Sequence, residues 1–207
     1  MLEIWGRDNA ANVRKVVWGC EELGLAYRRI DIGGRFGGAR DPDYLALNPT
    51  GLVPTIRDGD FVLWESHAIL RYLAAGPGGR ALYPDESQAR ALVDQWLDWQ
   101  AIHQAATMRD FGKLFRPGAP TPAGEVLAAA RSGIEGVFAL LEAELTKRPY
   151  IAGQQFTLAD IPIAIGAARW FGLPVERPAL PAVTAWFEKV TARPPYRAVA
   201  TTPLASA

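Results

Sequence analysis

The residues best suited to chemistry in this sequence are Glu65 and Ser66, which stand where a strand-like segment passes into a helix-like one. The free N–H groups at a helix N-terminus favour a bound carboxylate, and the Ser66 hydroxyl adds one more donor. The Glu65 carboxylate can hold an ammonium group through charge-assisted hydrogen bonds. Two purely structural interpretations stay open. Ser66 is an ordinary helix cap in the first, which is compatible with binding, and Glu65 is a solvated surface charge in the second.

The overall composition excludes several kinds of partner. Basic and acidic residues are balanced at 22 each among 207 residues, so no net field attracts nucleic acid or an anionic membrane. The single cysteine, Cys20, excludes an intramolecular disulfide and a cysteine-rich metal site, and it suits a reducing cytoplasm. The start at Met1 lacks a signal-peptide pattern. We therefore expect a soluble, cytoplasmic protein that binds no metal, no nucleic acid and no membrane.

The elements that must position Glu65 and Ser66 alternate between strand and helix. Apolar periodicity and turn signals define them. They are, in order, strand 2–5, helix 11–23, strand 26–32, a glycine-rich loop, strand 53–57, strand 61–64 and a helix that Ser66 caps. A glycine-rich cluster at 76–79 ends the last helix. This order predicts an α/β domain over residues 1–76, followed by a linker over 77–86.

The rest of the chain lacks strand signals and predicts an all-α domain over residues 87–207. Its expected helices cover 87–115, 122–146, a stretch that opens at Thr157, and 181–191. The segment from Thr157 to Asp160 is a variant of the capping box, in which the acidic side chain reaches back to the N–H of the threonine. Phe156 and Ile161 fit the hydrophobic staple that accompanies such a box.

Four local motifs, in their order and spacing, resemble the cytosolic glutathione transferase family, and in particular bacterial members similar to the theta, phi and zeta classes. The motifs are Asn12-Val13-Arg14-Lys15-Val16, Asn48-Pro49-Thr50-Gly51-Leu52-Val53-Pro54, Trp64-Glu65-Ser66-His67-Ala68-Ile69 and Phe156-Thr157-Leu158-Ala159-Asp160. The resemblance covers essentially the whole chain. It implies a thioredoxin-like, glutathione-binding N-terminal domain, an all-α C-terminal domain, glutathione as co-substrate and a homodimer.

The resemblance also assigns residues to the parts of glutathione. In the family the proline that matches Pro54 is cis, which lets the backbone of Val53 pair with the cysteinyl backbone of the ligand. Taken alone, Val53-Pro54 would simply start a strand. Glu65 and Ser66 would hold the ammonium and carboxylate of the γ-glutamyl group. Arg35 and Arg40 are candidates for the glycine carboxylate, with solvated arginines as an equally supported alternative.

One departure from the family concerns the thiol. Its serine-type classes carry the hydroxyl that stabilises the glutathione thiolate at the position of Ala10, two residues before Asn12. The sequence therefore predicts activation by the N-terminus of the first helix, with Asn12 or Asn9 as a side-chain donor and Arg7 as added charge. Asn12 fits helix capping equally well. A shift of one pKa unit corresponds to about 1.4 kcal/mol, within reach of one charge-assisted hydrogen bond.

A stripe of residues in the helical domain is the candidate for the second substrate. Trp96, Trp99 and His103 fall at helical spacing, and Thr107 and Phe111 continue the stripe. The resemblance implies that the second substrate lies against this domain, so His103, Thr107 and Phe111 are expected to contact it. Most of such a stripe is usually core, and a histidine satisfied by a neighbour is the more common case.

These features together predict an enzyme that conjugates the glutathione thiolate to a small apolar electrophile. The first alternative is a glutathione-binding protein with weak or no transferase activity, serving as a ligand carrier or interaction module, which Ala10 favours. The second is a glutathione-dependent peroxidase. Against a thiol-exchange mechanism, family members with a cysteine nucleophile place it near Ala10, where this chain has none.

Overall fold

The computed structural model describes residues 1–115 and 118–200, which group into two compact units. The first unit contains Met1–Pro84 and the segment that begins at Pro194; the second contains Asp85–Arg193. The sequence predicts one helical domain over 87–207, whereas the chain from Pro194 groups with the first unit. The reason is aromatic packing, because the ring of Tyr196 lies 4.9 Å from that of Trp18.

The first unit is an α/β unit with a four-stranded mixed sheet. Its elements are β1 (Leu2–Trp5), α1 (Ala11–Glu22), β2 (Tyr27–Ile30), α2 (Pro42–Leu47), β3 (Thr55–Asp58), β4 (Phe61–Trp64) and α3 (Ser66–Ala74). The strands lie in the order β2-β1-β3-β4, with β1 and β2 parallel and the other pairs antiparallel. This arrangement confirms the predicted thioredoxin-like fold.

The core of this unit forms where α1 and α3 pack side by side. The apolar face of α1 is buried through Val13, Val16 and Cys20, as its helical spacing predicts. Ile4 and Ile56, from the two central strands β1 and β3, are buried as well. Cys20 is thus a buried free thiol in the core.

The second unit is helical, which confirms the predicted all-α domain. Its elements are α4 (Ser87–Trp99), a π-helical turn (Gln100–Gln104), α5 (Ala105–Lys113), α6 (Gly124–Leu145), α7 (Asp160–Phe171) and α8 (Pro181–Thr191). The predicted helical stretch over 87–115 is present as far as Lys113, with a π-helical turn inside it that buries both Gln100 and Gln104. The chain then enters the first unit through a single turn and α9 (Arg197–Ala200).

Asp160 organises the interior of the second unit. Its carboxylate accepts hydrogen bonds from the N–H of Thr157 (2.9 Å), the N–H of Ile151 (3.0 Å) and Nε1 of Trp186 (2.8 Å). The acidic side chain thus reaches back to the N–H of Thr157 as predicted, but the predicted cap at Thr157 is wrong, because Ala159 is the cap residue and α7 begins at Asp160. Complete burial raises the pKa of Asp160 to about 6, while the hydrogen-bond donors act in the opposite direction.

Neither unit contains a helix suited to crossing a bilayer: within residues 1–115 and 118–200, none is both long enough and apolar enough.

Candidate active site

Strand register brings three of the candidate segments to one edge of the sheet. Trp5 lies opposite Thr55, and Thr55 lies opposite Trp64. The residues that continue these strands at this edge are therefore neighbours: Gly6 after β1, Val53-Pro54 before β3, and Glu65 after β4. A Cβ atom added to Gly6 would lie only 3.2 Å from Cβ of Val53. The sheet thus brings Val53-Pro54 and Glu65 together, whereas Arg35 lies outside it in the glycine-rich loop.

The Val53-Pro54 peptide bond is cis, as the family resemblance implies. The turn before it is held by Asn48, which is almost completely buried. Nδ2 of Asn48 donates to the carbonyl oxygen of Leu52 (2.9 Å) and to Oγ1 of Thr55 (3.0 Å). The hydroxyl of Tyr44 also donates to the Leu52 carbonyl. Asn48 and Tyr44 thereby fix the chain on both sides of Val53-Pro54, a role the sequence did not reveal.

The turn into α3 has an unusual backbone at Glu65. Glu65 has φ 74°, and it is the one non-glycine residue with a positive φ among those the structure describes. Such a conformation costs about 1–3 kcal/mol and is concentrated at functional sites. The predicted cap at Ser66 is wrong by one residue, because Glu65 occupies the cap position and Ser66 begins α3. Ser66 is buried and Glu65 is exposed.

A buried pair of basic side chains lies between α1 and α3, directly after this turn. Nζ of Lys15 is 3.3 Å from Nε2 of His67, and the two residues are only 4% and 8% exposed. Burial lowers the pKa of Lys15 to about 7, and the charge of Glu65 opposes that shift. Sequence reasoning missed Lys15. Lys15 lies about 200° around the helix from Val13 and so outside the apolar stripe of α1, and no local pattern marks its burial.

The N-terminus of α1 carries no capping side chain. Ala10 occupies the cap position, is buried and makes no side-chain hydrogen bond. The first helical bond runs from Arg14 N–H to the Ala10 carbonyl at 3.0 Å, so the N–H groups before it, from Ala11 to Val13, have no carbonyl partner within the helix. Asn12 is exposed in the first turn. The alternative of Asn12 as the helix cap is therefore wrong.

Two other polar residues lie beside this helix end. Oδ1 of Asn9 is buried without a hydrogen-bond partner among the described residues. The side chain of Arg7 runs across Gly34, where an added Cβ atom would lie 2.9 Å from Cδ and 3.0 Å from Nε of the arginine. A Cβ atom on Gly33 would be 3.5 Å from Nη1 of Arg7 and 3.6 Å from Cγ1 of Val53. The guanidinium of Arg7 and the side chain of Val53 therefore both border Gly33.

The two arginines considered for the glycine carboxylate lie in different places. Nη2 of Arg35 is 4.0 Å from Oδ1 of Asp8, and its guanidinium lies over the ring of Phe36. Nη1 of Arg40 donates to the carbonyl oxygen of Thr50 at 3.3 Å. Arg40 thus contacts the turn that leads to Val53, whereas Arg35 lies beside the segment that precedes α1.

The residues expected to contact a second substrate differ in exposure within the second unit. His103 is exposed in the π-helical turn, and its carbonyl oxygen accepts a hydrogen bond from Oγ1 of Thr107 at 2.7 Å. Phe111 is only 1% exposed, and its ring lies 5.6 Å from that of Trp170. Phe111 therefore belongs to the core, as most of such a stripe does. No cluster of three or more potential metal ligands occurs in the described part of the chain.

Comparisons with known proteins agree with this geometry. Residues 11–75 match the profile of the glutathione S-transferase N-terminal domain, and residues 101–194 match that of the glutathione S-transferase C-terminal domain. Glutathione S-transferase GstB of Escherichia coli is 38% identical over 99% of this chain and 100% of its own length. Glutathione S-transferase 3 of Zea mays is 36% identical over 98% of this chain and 95% of its own.

A solved structure extends the similarity to three dimensions. The theta class glutathione S-transferase of Xanthomonas axonopodis pv. citri, crystallised with glutathione bound, superimposes with a TM-score of 0.91. It is 44% identical, and the match covers 99% of each chain. The family predicted from the four motifs is thereby confirmed, and the chain belongs to the glutathione S-transferase family.

Proposed function

We propose that this protein conjugates the thiolate of glutathione to a small apolar electrophile. The observation that carries the proposal is the strand register that sets Val53-Pro54 beside Glu65-Ser66. One segment can pair with a peptide backbone and the other can bind an amino acid by its charges. Glutathione has a peptide backbone and a charged amino acid group in adjacent parts of one molecule. Membership of the transferase family supports the same substrate.

The γ-glutamyl group would bind at the start of α3. Its carboxylate would accept hydrogen bonds from the Ser66 hydroxyl and from the free N–H groups of the first helical turn. Its ammonium would pair with the exposed carboxylate of Glu65. The cysteinyl backbone would then run along Val53, which directs the thiol toward the N-terminus of α1.

The thiol would be activated without a serine. The N-terminal dipole of α1 and its free N–H groups stabilise a thiolate, and Ala10 leaves the space of one hydroxyl unfilled. Arg7 would add a positive charge from the side of Gly33 and Val53. Asn12 and Asn9 remain the candidate amide donors. Of these groups, Arg7 has the most closely defined position, because its side chain is packed across Gly34.

Fewer contacts support the assignments for the glycine carboxylate and for the electrophile. Arg40 is better placed than Arg35 for the glycine carboxylate, because it touches the turn that carries Val53. His103 and Thr107 are proposed to contact the electrophile. Phe111 would support them from the core and would not touch the electrophile, since it is almost fully buried.

We also propose that the protein is a homodimer. An apolar patch on the first unit supports this, since Phe61 and Tyr72 are 46% and 38% exposed. The rings of Phe61 and Tyr72 lie 5.0 Å apart, so the patch is continuous across β4 and α3. A second copy of the chain would cover it. We place the dimer in the cytoplasm, where the buried Cys20 thiol would stay reduced.

Calorimetric titration with glutathione and with cysteinylglycine tests the binding site, and conjugation of 1-chloro-2,4-dinitrobenzene tests the reaction. Cysteinylglycine lacks the γ-glutamyl group that Glu65 and Ser66 would hold. We expect glutathione to bind at least about 100-fold more tightly, which is close to 3 kcal/mol. Equal affinities would contradict the proposed site. Tight glutathione binding without conjugation would identify a carrier instead of an enzyme.

A further inference from the structure

The Lys15–His67 pair is not explained by packing alone. Burying an ammonium group is costly unless it is paired, and an apolar residue of similar length would fill the same space between α1 and α3 without that cost. Lys15 is nevertheless almost fully buried, with Nζ 3.3 Å from Nε2 of His67. This basic pair lies directly beside Ser66, which we propose to bind glutathione.

The Lys15–His67 pair lies at the start of α3. Lys15 comes from α1 and reaches the second residue of α3, His67, which directly follows Ser66. The charge of Glu65, the residue that precedes Ser66, favours the protonated form of Lys15. Lys15 therefore lies on the α1 side of the turn formed by Glu65, Ser66 and His67. The N-terminus of α3 carries a partial positive charge of its own, and the lysine adds to it.

We propose that Lys15, anchored by His67, is a positioning residue that strengthens the subsite for the γ-glutamyl carboxylate of glutathione. This inference rests on the proposed function. Lys15 is buried, so it acts through the electrostatic potential at Ser66 and through the orientation of the first turn of α3. His67 acts by accepting a hydrogen bond from Lys15 and holding its ammonium in place.

Two ligands separate this role from a general structural one. Glutathione carries both the ammonium and the carboxylate of the γ-glutamyl group. 4-Aminobutyryl-cysteinylglycine keeps the ammonium and the peptide but lacks that carboxylate. A residue that acts on the carboxylate should affect the binding of the first ligand and leave the second almost unchanged.

The test is calorimetric titration of both ligands against the intact protein and its Lys15→Met variant. Methionine matches the length of the lysine stem and removes the charge. We expect the dissociation constant for glutathione to rise about 10-fold, the effect of a single charge near the ligand, and that of the analogue to change less than about twofold. His67→Leu should give the same selective loss, while His67→Gln, which keeps an acceptor, should retain most of the affinity.

Three results would contradict the proposals, and they are distinguishable. Unchanged affinity for glutathione in Lys15→Met and His67→Leu would overturn the role of the pair. Equal losses for both ligands would overturn it too, since they would indicate general damage to the fold. Failure of the unaltered protein to bind glutathione would overturn the proposed function itself. Thermal unfolding of each variant identifies a folding defect, and the His67 variants test the role independently if Lys15→Met does not fold.

Discussion

Arg7 crosses Gly34 so closely that a Cβ atom on the glycine would lie 2.9 Å from Cδ of the arginine. Gly34 therefore has a second function besides its positive φ of 57°. It leaves room for the side chain that we propose as the positive charge near the thiol of glutathione. A change at Gly34 would displace Arg7 without altering the arginine itself.

Gly34→Ala should therefore raise the thiol pKa of bound glutathione and lower kcat. Gly37→Ala is a matched control, because Gly37 also has a positive φ (64°) but nothing within 4 Å of an added Cβ atom. The control carries a large backbone penalty of its own, because Gly37 combines φ 64° with ψ −155°, a conformation that is essentially limited to glycine. We expect a loss of about 10-fold in kcat for Gly34→Ala, equivalent to one pKa unit, and less for Gly37→Ala. Steady-state kinetics with both variants checks this. Similar losses in the two variants would remove Arg7 from the mechanism.

Ala10→Ser should increase conjugation activity. The cap position of α1 would gain a hydroxyl that can donate to the thiolate, in a helix that now has no capping side chain. One such bond to a charged group contributes about 1.5–3 kcal/mol, so kcat should rise at least about 10-fold at neutral pH. Ala11→Ser adds the same hydroxyl one residue later, where it does not occupy the cap. A rise in both variants, or in neither, would contradict the placement of the thiol at the end of α1.

Substitutions at Glu65 should separate stability from binding. Glycine tolerates the φ of 74° found at Glu65, so Glu65→Gly should leave the free energy of unfolding unchanged or raise it by up to about 1 kcal/mol. It removes the carboxylate proposed to hold the ligand's ammonium, so KM for glutathione should rise about 10- to 100-fold. Glu65→Gln, which keeps the backbone constraint, should show the same increase in KM. Urea unfolding and steady-state kinetics on both variants provide the measurements. An unchanged KM in both would exclude Glu65 from the site.

The buried Asp160 carboxyl group should make the free energy of unfolding depend on pH. Burial raises its pKa to about 6 from an ordinary value of 3.8, so the folded state binds a proton more tightly than the unfolded state. This contribution to stability is fully present below pH 4 and is lost as pH rises through 6. It amounts to about 3 kcal/mol at most.

Asp160→Asn cannot titrate, and its free energy of unfolding should lack this decrease. It should also be lower near neutrality, because an amide NH₂ would face one of the N–H donors of Ile151, Thr157 or Trp186. Denaturant unfolding between pH 4 and pH 7 compares the two proteins, and parallel profiles would refute the assignment.

The sequence predicts the fold well because apolar periodicity decides it. The apolar stripe of α1 and the hairpin around Gly59 both follow from local patterns. The motifs also place Val53-Pro54 and Glu65-Ser66 in one site. The strand register that brings them together depends on the pairing of β1, β3 and β4, which only the assembled sheet fixes.

Several features of the site depend on tertiary contacts that residue types do not reveal. The cap of α3 falls at Glu65 because that residue adopts a positive φ, for which glutamate has no intrinsic preference. Lys15 is buried because His67 from another helix receives it. Arg7 can lie across Gly34 because the glycine has no Cβ atom. In the π-helical turn at Gln100–Gln104, Nε2 of Gln104 donates to the Ile163 carbonyl of α7 at 3.2 Å.

The central claim is that this family member activates the glutathione thiol without a serine at position Ala10. The most direct measurement is a pH titration of the thiolate absorbance of glutathione bound to the unaltered protein. We expect the thiol pKa of the bound ligand to lie at least about one unit below that of free glutathione, since α1 and Arg7 stabilise the anion by about 1.4 kcal/mol or more. Tight binding with a thiol pKa equal to that of the free peptide would contradict the claim.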